Sequence, residues 1–192
     1  MAAAGSRSAP ARLPHRPAEA ATAPFTYALA LGSNRRHGRW GAPAKVLSAA
    51  LAALEGEGVT ILTRSPTFTT PALGPAGRQF ANAAALVETA LPPLALLALL
   101  KRVERTFGRR RGQRWGARVV DLDILLWSGG AWRSPTLVIP HRELSRRRFV
   151  LDPLSRIAPD WRLPNGALAI RHLHHRLTRP RPAHRWGRTV GL

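Results

Sequence analysis

Between Phe25 and Trp127 the apolar residues keep switching period, and the order of those switches restricts the fold more than any other feature. Phe25 to Leu31 reads as a strand that runs into the turn-forming Gly32-Ser33-Asn34. Pro43 to Leu54 carries Val46, Leu47, Ala50, Leu51 and Leu54 at helical spacing, and Glu55-Gly-Glu-Gly58 closes that helix. Val59 to Thr63 is a second strand and Phe80 to Val87 a third. Between them Thr70-Pro-Ala-Leu-Gly-Pro75 must be a loop, because two prolines and a glycine forbid regular structure there. Pro92 to Phe107 is a second helix, with its prolines tolerated in the first turn and Gly108 ending it. Val119 to Trp127 is a fourth strand. Gly129-Gly130 turns the chain into a shorter strand around Thr136 to Ile139, and short helices and loops follow Pro140. The order strand-helix-strand-strand-helix-strand implies an α+β fold: a ferredoxin-like two-layer sandwich, its sheet mainly antiparallel with helices packed on it.

A chain of 192 residues with 45% hydrophobic content suits one domain. Residues 1–24 lack periodicity and read as a disordered leader, residues 25–170 as the domain, and residues 171–192 as a disordered basic tail that only raises the isoelectric point. The leader has no apolar stretch of the kind a secretory signal needs. The longest apolar block, Leu91 to Leu100, is too short to span a bilayer. There is no cysteine, so disulfides, thiolate metal sites and cysteine nucleophiles are excluded, and a reducing, cytoplasmic setting is expected. The formal charge of +20 calls for a polyanionic partner, and Lys45 and Lys101 are the only lysines. With only ten acidic residues, where they sit is informative.

Asp121 and Asp123 flank Leu122 in a strand, so a period of two puts both carboxylates on one face, with α-carbons roughly 6.5 Å apart. Two carboxylates so placed can share hard cations, and magnesium favours one or two carboxylates plus substrate phosphates. A strand with one solvated polar face would give the same pattern. The surroundings tip the balance. From Lys101 to Arg118 the chain has eight basic residues and one acid, Glu104. Guanidinium forks grip phosphate oxygens, and arginines beside metal-binding carboxylates are what polyphosphate transfer needs. No phosphate-cradling glycine loop of either common kind is present, so a nucleotide would be held by arginines, cations and packing.

The stretch Arg114-Trp-Gly-Ala-Arg-Val-Val-Asp-Leu-Asp-Ile-Leu125 resembles the signature of the 6-hydroxymethyl-7,8-dihydropterin pyrophosphokinases. Leu29-Ala-Leu-Gly-Ser-Asn34, Thr70 to Pro75 with Phe80-Ala-Asn82, Val138-Ile-Pro-His141 and Arg147 to Leu154 resemble further blocks of that family in order and spacing, over about residues 25–166. The resemblance implies transfer of pyrophosphate from ATP to the pterin hydroxymethyl group, with AMP as the other product. It implies that Asp121 and Asp123 hold two Mg2+ ions on ATP, and that Arg109, Arg111 and Arg118 contact phosphates, with Arg109 and Arg118 counted among the catalytic set. His141 and Arg147 would reach the nucleotide and Ile124 would line the adenine site. Thr70, Pro71, Leu73, Phe80, Asn82 and Phe149 would form the pterin site, where two rings can stack on a flat heterocycle and one amide can match its edge. Either Asp123 or a metal-bound path takes the hydroxyl proton. Trp115 would help a lid close.

Arg142 stands where the family often has an aromatic residue, Ala72 replaces a loop proline, Phe80 replaces a tyrosine, and Arg148 replaces a glycine. These touch details of the nucleotide and pterin sites, not the acidic pair. A nucleic-acid-binding module would carry aromatics on its central strands, where this chain has carboxylates. A scaffold without activity would have no need of the acidic pair and its arginines. A monomer acting on two small molecules, without a nucleic-acid or membrane partner, is therefore expected.

Overall fold

The structure is a computed structural model that describes residues 23–70, 79–108, 119–164, 166 and 168–180. In chain order its elements are β1 (Phe25–Ser33), α1 (Pro43–Gly56), β2 (Thr60–Arg64), β3 (Phe68–Thr70), β4 (Phe80–Thr89), α2 (Pro93–Thr106), β5 (Asp121–Trp127), β6 (Trp132–Arg133), β7 (Val138–Ile139), α3 (Arg148–Ile157) and α4 (Ile170–Thr178). The four long strands order as β2-β4-β1-β5, every neighbouring pair is antiparallel, and short β3 also pairs with β4. The two hydrophobic strands at the centre, β1 and β4, are flanked on both sides, as strands buried on both faces must be.

One face of the sheet is covered by α1 and α2. Leu29 and Leu31 of β1, Ala83, Ala85 and Val87 of β4, and Leu122 and Ile124 of β5 pack there against Val46, Leu54, Leu96 and Leu100. The opposite face is covered by α3 and α4, where Ala28, Ala84 and Leu126 meet Val150, Leu151, Leu154, Ile170 and Leu173. The sandwich therefore has helices on both faces, which corrects the two-layer expectation. The sequence pattern missed the third layer because α3 and α4 follow the sheet instead of interrupting it.

The tail boundary is corrected as well. Residues expected to be disordered from Arg171 onward form most of α4, which runs to Thr178. Ile170, Leu173 and Leu177 make an apolar stripe at helical spacing that docks on α3, and the arginines and histidines between them masked it. His174 Nε2 lies 2.9 Å from Asp152 Oδ1 on α3, a second tie between the two helices. The rest of the expected tail, residues 181–192, lies outside the described residues, as does the leader up to residue 22.

A bulge in β5 decides which side chains face which helices. Ala28 pairs with Leu126 but Leu29 pairs with Ile124, so Leu125 is an extra residue in β5. Before the bulge, Leu122 and Ile124 face α1 and α2. After it, Leu125 and Leu126 both join the cluster under α3 and α4. Asp121 and Asp123 alternate with Leu122 and Ile124 and so point to the α3 and α4 side.

Candidate active site

Asp121 pairs with Gly32 and Asp123 with Ala30 on β1, and on the other side of β1 Gly32 pairs with Asn82 and Ala30 with Ala84. Directly opposed residues share a face, so the acidic pair, Asn82 and Phe80 stand on one side of the sheet with only Ala30, Gly32 and Ala84 between them. The result is a floor of small residues walled by carboxylates on β5 and an amide on β4. At Gly32 a methyl group would sit 3.8 Å from Asn82 Oδ1, in ordinary contact, so the glycine keeps the floor low but is not required by backbone strain. The sequence pattern did not reveal this floor; its signal is the Ala30, Gly32 alternation in β1 facing Ala84 and Asn82 in β4.

Asn82 is buried, and its Nδ2 donates to Thr70 Oγ1 at 2.9 Å. That bond brings two expected pterin residues together and fixes the amide, leaving Oδ1 on the floor side. Phe80 and Phe149 are half-buried, and Phe149 packs against the α3 and α4 cluster. Arg147 caps the start of α3; its guanidinium lies 5.7 Å from the Phe149 ring centroid and 3.6 Å from Glu143 Oε2. His141 follows the cis Ile139–Pro140 bond, and its backbone N–H donates to Leu125 O at 3.0 Å, which seats it beside the outer edge of β5. Its Nδ1 accepts the N–H of Glu143 at 3.2 Å, so Nε2 is the ring nitrogen left to meet a ligand. Ile124 is buried in the core beneath α1 and α2, where its side chain packs the domain. Arg109, Arg111, Arg118, Pro71, Leu73 and Trp115 lie outside the described residues.

Asp121 and Asp123 are each partly exposed, and among the described residues no group of three or more His, Cys, Asp or Glu side chains gathers as a metal cluster. Two carboxylates on one face fit a hard cation that takes its remaining oxygens from water and a phosphate ligand. The arrangement is thus a pair of carboxylates at the β5 edge next to a small-residue floor, with Phe80 on the same face.

The model of the family described as 7,8-dihydro-6-hydroxymethylpterin-pyrophosphokinase (HPPK) matches residues 28–159. The chain belongs to that family. A 2-amino-4-hydroxy-6-hydroxymethyldihydropteridine pyrophosphokinase of Pseudomonas aeruginosa is 43% identical over 147 residues, which cover 76% of this chain and 85% of that protein. The enzyme of the same name from Haemophilus influenzae is 41% identical over 146 residues, covering 75% of this chain and 88% of that protein. Among solved structures, wild-type Plasmodium falciparum HPPK-DHPS superposes with a TM-score of 0.61 at 15% identity, over 80% of this chain. This chain spans 41% of that longer one, so the likeness shows the fold of its HPPK part and nothing of the rest. Asp121, Asp123, Phe80, Asn82, His141 and Arg147 all fall inside the matched family range.

Two residues bearing on the site were not assigned any role from sequence: Glu104 and Lys101 of α2. Glu104 is fully buried, and its Oε1 accepts the Leu122 N–H at 2.8 Å. The signal was present, because Glu104 sits on the apolar stripe formed by Leu96, Leu100 and Val103, where an acid has to have a partner.

Proposed function

We infer that the β5 edge and the small-residue floor are the two halves of one active site, and that the chain carries out its family's reaction there. The chain is a pyrophosphokinase of folate biosynthesis: it transfers pyrophosphate from ATP to 6-hydroxymethyl-7,8-dihydropterin, giving AMP and the pterin diphosphate. The single observation that carries the site assignment is the shared face of Asp121, Asp123 and Asn82 across the β5-β1-β4 rows.

The sheet order β2-β4-β1-β5 with helices crossing on one face supports the ferredoxin-like reading of the core, with α3 and α4 added on the other face. Asn82 matches the pterin edge with its amide while Phe80 and Phe149 give faces for stacking, and Thr70 keeps the amide oriented. Asp121 and Asp123 would hold two magnesium ions brought with ATP, which when bound neutralise phosphate charge and fix the phosphate oxygens. His141 and Arg147, with Arg109, Arg111 and Arg118, supply cationic and donor contacts to the phosphates. In the transfer the pterin hydroxymethyl oxygen attacks the β-phosphorus in line, the bond to the α-phosphate oxygen breaks, and AMP leaves with that oxygen. Asp123 stands on the floor side, where it can take the hydroxyl proton. Little covalent work falls to the protein, and positioning with charge neutralisation dominates. The protein acts in the cytoplasm as a monomer; no helix of the described residues is long and apolar enough to cross a membrane.

The test is AMP formation from ATP and Mg2+ with and without 6-hydroxymethyl-7,8-dihydropterin. Pterin-dependent AMP that disappears in Asp123→Ala supports both the reaction and the acidic pair. AMP release at wild-type rate in Asp123→Ala removes the pair from the site.

A further inference from the structure

β5 lies at the edge of the sheet, so its outer backbone groups need partners from elsewhere. At Leu122, the residue between the two aspartates, both groups are met by α2. The Leu122 N–H donates to Glu104 Oε1 at 2.8 Å, and Lys101 Nζ donates to the Leu122 carbonyl at 3.1 Å. Lys101 Nζ also donates to Glu104 Oε1 at 2.7 Å, which closes a ring of three bonds. The same ammonium reaches round the strand edge to within 3.8 Å of Asp123 Oδ1. That last distance is an ion-pair separation and not a hydrogen bond. Lys101 is thus anchored by Glu104 and Leu122, and its hold on Asp123 is the weakest and most easily replaced of its contacts.

We propose that Lys101 is a positioning residue that acts as the resident counter-ion of Asp123, holding the carboxylate in place and disfavouring a bare divalent cation there until phosphate arrives with it. The inference rests on the cation-site reading of Asp121 and Asp123 given above. Because Glu104 and Leu122 keep the ammonium where it is, a cation at Asp123 meets a like charge on the same carboxylate. Nucleotide phosphates offset both positive charges, so the site takes the cation–polyphosphate complex in preference to the free ion. A purely structural role for Lys101 would need the bonds to Glu104 and Leu122 but no charge facing Asp123.

The experiment is Mn2+ binding to the full chain without nucleotide, read from the electron paramagnetic resonance of free Mn2+. Lys101→Met should bind Mn2+ about tenfold more tightly than the wild-type protein, the size expected of one like charge removed from a partly solvated site. Lys101→Arg, which keeps the charge, should stay near the wild-type value. Mn2+ affinity in Lys101→Met that is unchanged or weaker overturns the counter-ion role while leaving the cation site standing. No Mn2+ bound by either protein, with or without ATP, removes the cation site and the counter-ion together. A second measurement does not depend on that variant folding. The chain has two lysines, so Lys45→Arg leaves Lys101 as the sole lysine signal in a lysine-labelled sample. Its side-chain resonance should shift when Mg2+ and ATP are added together, and a resonance indifferent to them overturns the proposal.

Discussion

The two ends of β1 and β5 are built from the same pair of strands and do opposite things. At one end Phe25, Tyr27 and Trp127 pack ring against ring, with Phe25 and Trp127 centroids 5.4 Å apart edge-to-face and Trp132 closing on Trp127 at 5.9 Å. Large rings fill that end. At the other end the same two strands present Ala30, Gly32, Asp121 and Asp123, and the floor between carboxylates and amide is left low. Large rings gather at one end and small residues with two carboxylates at the other, and the bulge at Leu125 lies between them. The lesson is that one sheet can hold a rigid aromatic anchor and an open site a few residues apart, provided the register changes between them.

That contrast breaks if a change at one end behaves like a change at the other. The largest effect is expected from Asp123→Ala, which should lower pterin-dependent AMP formation by about a hundred- to thousandfold, the loss typical of one group that stabilises transition-state charge. Its thermal melting should not fall, since a carboxylate at an open site contributes little to packing. At the anchored end Trp127→Ala should cost about 3 kcal/mol in chemical denaturation, and turnover per folded molecule should be kept. A thousandfold turnover loss with unchanged stability in that variant would erase the distinction.

Ile170→Ala sharpens the comparison on the second face. If α4 belongs to the domain, as its burial implies, the variant should lose about 2–3 kcal/mol, and a stability equal to wild type would return these residues to a tail. The smallest effect concerns pH. Tyr27 is the only tyrosine, its hydroxyl donates to Leu91 O at 2.7 Å, and burial pushes its pKa up from 10.0 to about 12. The unfolded chain releases this proton above pH 10 and the folded protein keeps it, so the associated stability is fully present below pH 10 and is lost as pH rises toward 12. Tyrosinate absorbance should therefore rise late in the native protein, and Tyr27→Phe should flatten the alkaline fall in stability.

Much of this was legible along the chain. The periodicity of β1, α1, β4 and α2 was readable because each buries one long continuous pattern, and Asp121 with Asp123 was readable because a period of two fixes a shared face whatever the strand packs against. β3 was not, since Phe68 to Thr70 is too short for a pattern and is a strand only because β4 offers it an edge. α4 was hidden by composition: its apolar stripe is separated by arginine and histidine, which mean a tail by themselves and a solvated helix face once α3 is beneath. Ile124 reads equally as a ligand-lining or a core residue, and its pairing with Leu29 of β1 puts its side chain in the core.

By itself the sequence determined the residue types, the alternation that pairs Asp121 with Asp123, and the family to which the blocks from Leu29 to Leu154 belong, because these depend on local spacing. Tertiary structure decided what stands opposite them. Asn82 shares a face with the acidic pair across β1 only through strand register, and Lys101 meets Asp123 only because α2 packs at the outer edge of β5. Contacts between residues far apart in the chain depend on how elements pack, and no local period carries that information.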